Sequence, residues 1–392
     1  MGRNVEIKPS VIEFALEHLP PFSSLESEWQ ELDRQGSHSF FLTWTWIGTW
    51  LRMLPKSVPV GLIRARDNGE TVGLALAVPR RSKLGGVFRT NQLWLNATGD
   101  SAFDCLTIEH NGFATGLPQD DALWDGLFRW FVDDNKLADE LVLCGIAANA
   151  PDGDGLGLLS TERRTPAYRT PLAQLSAEEG IQAVLSRNTR QQLRRSIRAY
   201  EAIGPLSVEP AQGEGAAFAF FDGLKEFHIR SWHRRGQKHA FSEPFFEVFH
   251  RALISEGSKE GTVELLRISA GSHTLGYLYN FARGKTVFNY QSGFDDSVSG
   301  MRPGYVSHAL AISHYATLGM SHYDLLAQTN RLKMSFGTDR YFLSWRHVRR
   351  PTGIFRTEAM IRNAIRLLQG GAGTNKSAIM STCRQAPVQR SE

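Results

Sequence analysis

The sequence predicts a mixed α/β fold built from two units of the same plan, and three observations carry that reading. The chain has 392 residues, 42% hydrophobic and 21% charged. At roughly 100 to 200 residues per domain that is enough for two cores, and the composition excludes wholesale disorder. The order hairpin, strand, loop, helix, strand occurs twice. Between the two occurrences, Ala150 to Pro171 is rich in Gly, Asp, Pro and Thr and reads as a linker.

In the first unit, Val60–Arg66 and Thr71–Pro79 alternate as strands around Asp67-Asn68-Gly69, a turn whose Asn and Gly accept positive φ. Cys105–His110 reads as a further strand. The helix Asp121–Asn135 follows, with Leu123, Leu127, Trp130 and Phe131 at helical spacing, and then the buried strand Leu141–Ala147. The second unit is preceded by helical stretches at Ser186–Ile203, Ala216–Arg234 and Glu243–Ser255. It continues with strands Val263–Ser269 and Thr274–Ala282 around Gly271, then Lys285–Phe294. A loop Asp295–Gly304, a helix Tyr305–Leu318 and a strand Ser321–Leu326 complete it. The expected domains are 1–170, 171–350 and a C-terminal helix and loose tail over 351–392. In that last part, Thr357–Gln369 reads as a docking helix.

Charge and cysteine content exclude several classes. Lys plus Arg is 44 against 40 Asp plus Glu, a net +4, too little over this length for a nucleic-acid coat. Cys105, Cys144 and Cys383 are far apart and form no CxxC, which argues against a disulfide framework or a cysteine zinc site. The 12 histidines form no HxxxH or HExxH pattern, so no metal is expected. Met1–Ser10 lacks the apolar core of a signal peptide, and no apolar run nears the roughly 20 residues that span a bilayer. A cytoplasmic protein, at most peripheral at a membrane, is expected.

Several residues stand out chemically. The loop Ser297–Gly304 runs from a strand into a helix, where free N–H groups and the positive helix end suit a pyrophosphate. Arg302 adds a cation there, Pro303 fixes φ, and Gly304, next to Tyr305, permits close backbone approach. Asp324 lies in an apolar strand, where desolvation makes a carboxylate a usable base; the alternative is a structural Asp that caps a loop or pairs with an arginine. His228 and Trp232 share a helix face, as an acceptor contact or a packed pair. Arg187, Arg190, Arg194 and Arg198 form one face of a helix whose other face is apolar. That face is a solvated surface or an anion site for a lipid diphosphate, a cyclic dinucleotide, RNA or an anionic membrane.

Gly293-Phe294-Asp295, Pro303-Gly304, Tyr323-Asp324-Leu325-Leu326 and Leu332-Lys333-Met334-Ser335-Phe336-Gly337 resemble the GNAT-fold acyltransferases of the CelD/BcsL cellulose-biosynthesis type, BioF2-like relatives of the FemABX aminoacyl transferases. Asn188-Thr189-Arg190 through Gly204, His228–Gly236 and the aromatic run Phe41–Trp50 extend the likeness over roughly residues 40–350. The resemblance implies two tandem GNAT-like domains. It further implies acyl transfer from acetyl-CoA or another acyl-CoA to an amine, with the acceptor cleft between the domains. On that analogy the strand near Ser292 and Gly293 supplies the oxyanion donor. Lys333 matches the lysine of the FemABX Phe-Lys-x-x-Phe-Gly run, with Leu332 in place of the aromatic. The acceptor it suggests is an amino sugar of an exopolysaccharide or a lipid-linked envelope precursor, and nucleic acid is not expected. Two alternatives stay open: an aminoacyl-tRNA-dependent FemABX-type transferase, and a non-catalytic regulator binding a cyclic dinucleotide through Arg190-x-x-x-Arg194.

Overall fold

Each unit opens with a strand and two helices before its main strands. The computed structural model describes residues 12–36, 39–84, 88–117, 121–175, 180–297 and 300–368. The first unit runs β1 (Glu13–His18), α1 (Phe22–Gln35), α2 (Trp44–Met53), β2 (Gly61–Asp67), β3 (Glu70–Leu84), β4 (Phe88–Leu95), the short β5 (Ala114–Thr115), α3 (Asp121–Asp133), β6 (Glu140–Ala147) and β7 (Leu159–Pro171). After α4 (Arg187–Glu201) the order returns. It runs β8 (Leu206–Pro210), α5 (Gly213–Arg234), α6 (Pro244–Gly257), β9 (Val263–Ala270), β10 (His273–Arg283), β11 (Thr286–Phe294), α7 (Pro303–Thr317), β12 (His322–Ala327), α8 (Arg331–Phe336) and β13 (Asp339–Arg349). The helix α9 (Gly353–Leu368) is the last described element.

All strands join one 13-stranded sheet in the order β1-β2-β3-β4-β6-β13-β7-β12-β11-β10-β9-β8, with β5 on β3. Pairing is antiparallel except where β4 meets β6 and β11 meets β12, the same place in each unit. At the centre the last strands are exchanged. β13 of the second unit lies against β6 of the first, β7 of the first lies against β12 of the second, and β7 and β13 pair with each other from Asp339↔Arg169 to Arg349↔Leu159. Helices α1 and α2 of the first unit share one apolar core with α5 and α6 of the second. Phe40 stacks on Phe281 at 4.3 Å, and Trp46 meets Phe249 edge-on at 4.9 Å.

Turn chemistry places the first hairpin as expected, with Asn68 at φ 50° and Gly69 at φ 86°. Two expectations fail. Ala150–Pro171 is not a free linker, since its second half is β7, buried between β13 and β12. The strand is polar because Glu162 pairs with Arg164 and Arg346. Its Pro166 is tolerated because pairing to β12 begins only at Ala167, so the missing N–H faces no acceptor there. Cys105–His110 is not a strand either. A 3-10 turn at Asp104–Leu106 gives way to irregular backbone with Thr107 at φ 45° and His110 at φ 52°. Cys383 and the tail lie outside the described residues. Among the described residues no helix is long and apolar enough to cross a membrane.

The exchanged strand β13 is pinned by charge. Glu140, 1% exposed at the start of β6, accepts from His347 at 2.8 Å and Arg349 at 2.5 Å on β13, and from Gln92 at 2.6 Å on β4. Burial raises its pKa, but the His347, Arg349 and Gln92 contacts outweigh that and hold it down at about 2. A depressed carboxylate stabilises the fold above its ordinary value of 4.5 and loses that contribution as pH falls towards 2. Glu140→Gln should therefore cost on the order of 3 kcal/mol at neutral pH. It should also flatten the acid limb of stability between those values, as read by urea unfolding over a pH series.

Candidate active site

A parallel pair that separates leaves a wedge, and both units contain one. β11 and β12 are in register at Thr286↔His322, Val287↔Tyr323 and Phe288↔Asp324 and then part. The cause is local. Against β10, Asn280 faces Asn289 and Tyr279 faces Gln291, so Tyr290 is an extra residue that kinks β11. In the first unit β4 and β6 part beyond Trp94↔Val142. There Asn111 fills the gap: its N–H donates to the Gly145 carbonyl at 3.0 Å and its amide to the Leu95 carbonyl at 3.0 Å. Gly145 is required, because at its φ of 67° a Cβ would stand 2.4 Å from the Ile108 oxygen.

In the second unit the wedge is open. It forms a cleft of about 120 Å³ with Glu109, His228, Trp232, Tyr290, Ser292 and Lys333 among its lining residues. The filling segment of the first unit passes along this cleft, which is how Thr107 and Glu109 reach it. Thr107, Leu326 and Gln328, with left-handed backbones at φ 45°, 64° and 78°, all border it. Each costs about 1–3 kcal/mol, strain of the kind that concentrates at functional sites.

Three ionisable groups hold the kinked end of β12. Asp324 accepts the Leu326 N–H at 2.7 Å, Glu109 accepts the Ala327 N–H at 2.7 Å, and the Lys333 ammonium donates to the Leu326 and Ala327 carbonyls. Glu109 is 4% exposed. Burial pushes its carboxyl above the ordinary range against the opposing pull of Lys333. Burial likewise draws the Lys333 pKa down, with Glu109 and Asp324 resisting. An ammonium has three protons to give, so Lys333 keeps one beyond the two carbonyls. Asn330 caps α8 by accepting the Lys333 N–H at 2.8 Å, which fixes where this side chain starts.

His228 is 3% exposed and stacks on Trp232 at 5.5 Å. Its Nδ1 lies 3.4 Å from the Ser292 carbonyl, which assigns the ring proton to that nitrogen. Nε2 is buried without a partner among the described residues. Burial lowers its pKa to about 4, so the ring is neutral near pH 7 and Nε2 presents a lone pair.

The structure brings His228, Ser292 and Lys333 together and sets other expected residues apart. Asp324 does not line the cleft; the Tyr341 hydroxyl reaches both its oxygens, at 2.8 and 2.9 Å, and His110 stands 3.6 Å off. Gly293 serves packing, since a Cβ there would lie 2.4 Å from the Leu224 oxygen on α5. The Ser292 N–H is taken by its neighbour Gln291 at 3.1 Å. At the first turn of α7 the Tyr305 and Val306 N–H groups are taken by the Arg302 carbonyl, at 3.1 and 3.3 Å, and Gly304 lies against Phe294 and Leu332, which line the cleft. Arg302 turns to Gln192 at 2.5 Å and lies over the Tyr305 ring, whose hydroxyl meets Ser335 at 3.3 Å. Val298 and Ser299 lie outside the described residues. On α4, Arg190 donates to the Ala183 and Leu185 carbonyls and Arg194 to Gln182, while Arg187 and Arg198 are exposed. The expected four-arginine face is thus partly spent on its own neighbourhood. Among the described residues no group of three or more His, Cys, Asp or Glu is placed to hold a metal ion.

Glu109 escaped sequence reasoning because its stretch was read as a strand. The Glu-His-Asn-Gly run ending that stretch was the available signal.

The second unit matches a known domain. Residues 187–342 match the family described as acetyltransferase (GNAT) domain. No curated protein matches the chain. Among solved structures it is similar to FemX, with a TM-score of 0.55 and 11% identity over 85% of this chain and 96% of that one. It is similar to a conserved protein of unknown function from Bacteroides thetaiotaomicron VPI-5482, with 0.52 and 10% over 86% and 100%. It also resembles the C-terminal DUF2156 domain of an Agrobacterium fabrum protein named as a lysylphosphatidylglycerol synthetase, with 0.50 and 11% over 90% and 98%. At such identities these likenesses establish the fold, a mixed α/β GNAT fold, and nothing of substrate.

In an NMR titration the His228 ring should stay neutral until about pH 4, while an exposed histidine protonates near its ordinary value of 6.5. Protonation near 6.5 would show that the ring is not buried as described.

Proposed function

We infer that the protein is an acyltransferase that moves an acyl group from a thioester, with acyl-CoA as the donor class, to an amine held in the cleft. The single observation that supports this most is the open wedge between β11 and β12. The wedge forms a larger cleft than its counterpart in the first unit, and it sets a buried carboxylate and a part-buried ammonium on the Leu326–Ala327 backbone.

The chemistry follows from those groups. Glu109, with one oxygen on the Ala327 N–H, takes a proton from the acceptor ammonium and passes it to solvent. The freed nitrogen attacks the thioester carbon and a C–N bond forms. The third Lys333 proton steadies the oxyanion. The C–S bond then breaks, and the departing thiolate takes the second proton lost from the attached nitrogen. Asp324 positions this site through Leu326 and Tyr341 rather than by touching substrate. His228 Nε2 accepts a hydrogen bond from whatever fills the cleft beside Trp232. An amino sugar of an envelope or exopolysaccharide precursor is the acceptor class to try first.

Thiol release from acetyl-CoA, measured against amino sugars and simple amines, tests the reading. Glu109→Gln should lower kcat by about 100-fold or more with donor KM little changed, and Lys333→Met by about 100- to 1000-fold. Full turnover in Glu109→Gln would remove that residue from its role, and no thiol release with any amine would count against the reading itself. The pH–rate profile should be bell-shaped. Its acid limb lies above the ordinary carboxylate range because Glu109 must be ionised, and its alkaline limb below the ordinary lysine range because Lys333 must be charged.

A further inference from the structure

The first unit keeps a second, smaller pocket that the chemistry above does not use. It measures about 40 Å³ and stands beside Asn96, Ala97 and Cys144, just beyond the point where β4 and β6 part. It is thus the counterpart of the cleft between β11 and β12. Its wall is mostly rings and aliphatic groups, with Trp46, Trp50, Phe103, Leu106 and Trp345 among them. Asn96 and Asp104, at its polar corner, are already spent. Asn96 accepts the Leu76 N–H and donates to Asn111 and the Gly112 carbonyl, while Asp104 accepts from the Thr98 and Gly99 N–H groups. Protein interiors are close-packed, so apolar room of this size beside them calls for an occupant.

One strip of chain separates this pocket from the cleft. Asp104, Leu106 and Ile108 border the pocket, Cys105 and Glu109 border the cleft, and Thr107 borders both. The partition is therefore a single strand of backbone, and Thr107 is its strained point, a β-branched residue at φ 45°. The Thr107 hydroxyl is buried without a partner among the described residues, so turning this side chain aside breaks no hydrogen bond. Glu109, two residues on, is at most about 7 Å away along the backbone. It meets the Ala327 N–H beside Lys333, which is where acyl transfer places the thioester carbonyl. An acyl chain leaving that carbonyl has Thr107 within a few carbons of it.

We propose that the first unit's pocket receives the far end of the donor's acyl chain, entering past Thr107, so that the preferred donor carries a short apolar chain rather than an acetyl group. The proposal rests on the acyl-transfer reading and names the chain that is transferred. A water-sized group needs about 10–15 Å³ of such room, so the pocket holds roughly three methylene-sized groups. With the carbons that cross from the carbonyl to Thr107, the chain comes to about six carbons. Each methylene that enters leaves water for an apolar wall, and this gives a hexanoyl thioester its advantage over acetyl. The second unit holds the reacting carbonyl, and the first measures the chain.

Calorimetric titration of the full chain with acetyl-CoA, hexanoyl-CoA and dodecanoyl-CoA tests the pocket. Hexanoyl-CoA should bind at least about 10-fold more tightly than acetyl-CoA, and dodecanoyl-CoA no more tightly than hexanoyl-CoA. Ala97→Leu and Cys144→Leu fill the room from the β4 and β6 sides. Each should cut the hexanoyl preference to about 2-fold or less, because the chain end stays in water. Circular dichroism checks folding, and if one variant misfolds the other decides; if both do, the wild-type series decides alone. Equal binding of acetyl- and hexanoyl-CoA, affinity that keeps climbing to dodecanoyl-CoA, or a preference that survives in a folded filling variant overturns the proposal. Thiol release keeps the two readings apart. Release from acetyl- and hexanoyl-CoA at the same kcat/KM removes the pocket's role and leaves acyl transfer standing. Chain preference in the titration with no thiol release from either donor removes acyl transfer and keeps the pocket as a binding site. No binding of any thioester overturns both.

Discussion

Each half of this protein closes its sheet with a strand borrowed from the other. β13 completes the first unit and β7 the second, and the two run side by side through the centre. Because the exchange is made of backbone hydrogen bonds buried in a continuous sheet, the halves are held in one relative position rather than by a surface contact. That fixed position is what allows a segment of the first unit to form a wall of a cleft in the second. The Glu140 cluster, with Gln92, His347 and Arg349, secures the same seam by charge.

The two units share an order of elements and differ in the use of one gap. In the first, Asn111 bridges the parting strands, and only a smaller pocket of about 40 Å³ remains beside Asn96, Ala97 and Cys144. In the second, the kink at Tyr290 opens the same space, and no described residue closes it. The loop that bridges the first also delivers Glu109 to the second, so the first unit supplies part of the second's cleft wall.

Local patterning revealed the elements better than their assembly. The Asp67-Asn68-Gly69 turn, the helical spacing of α3 and the strands β9 to β12 follow from periodicity and turn residues, which depend on neighbours in sequence. The exchange of β7 and β13 was invisible because it depends on partners far away, and β7 hid behind ion-paired charges on its face. The first strands β1 and β8, which form the two edges of the sheet, went unread. His228 and Lys333, singled out from type and motif, both line the cleft. Asp324 was found too, but it serves the wall of the cleft, with Tyr341 as donor. Glu109 was missed because irregular backbone at Thr107 and His110 broke the pattern that would have placed it. The α7 turn reads as a phosphate cradle from its residue types, while its packing beside Phe294 and Leu332 is set by the fold.

The borrowed strand also sets a timetable. A ribosome releases residues 12–147 long before β13 exists, so the nascent first half must wait with the flank of β6 unpaired until residue 349 has emerged. Exposed sheet edges invite wrong partners. The two halves therefore mature together, once β13 has been made, and truncating the chain just before β13 leaves two incomplete halves rather than one finished domain.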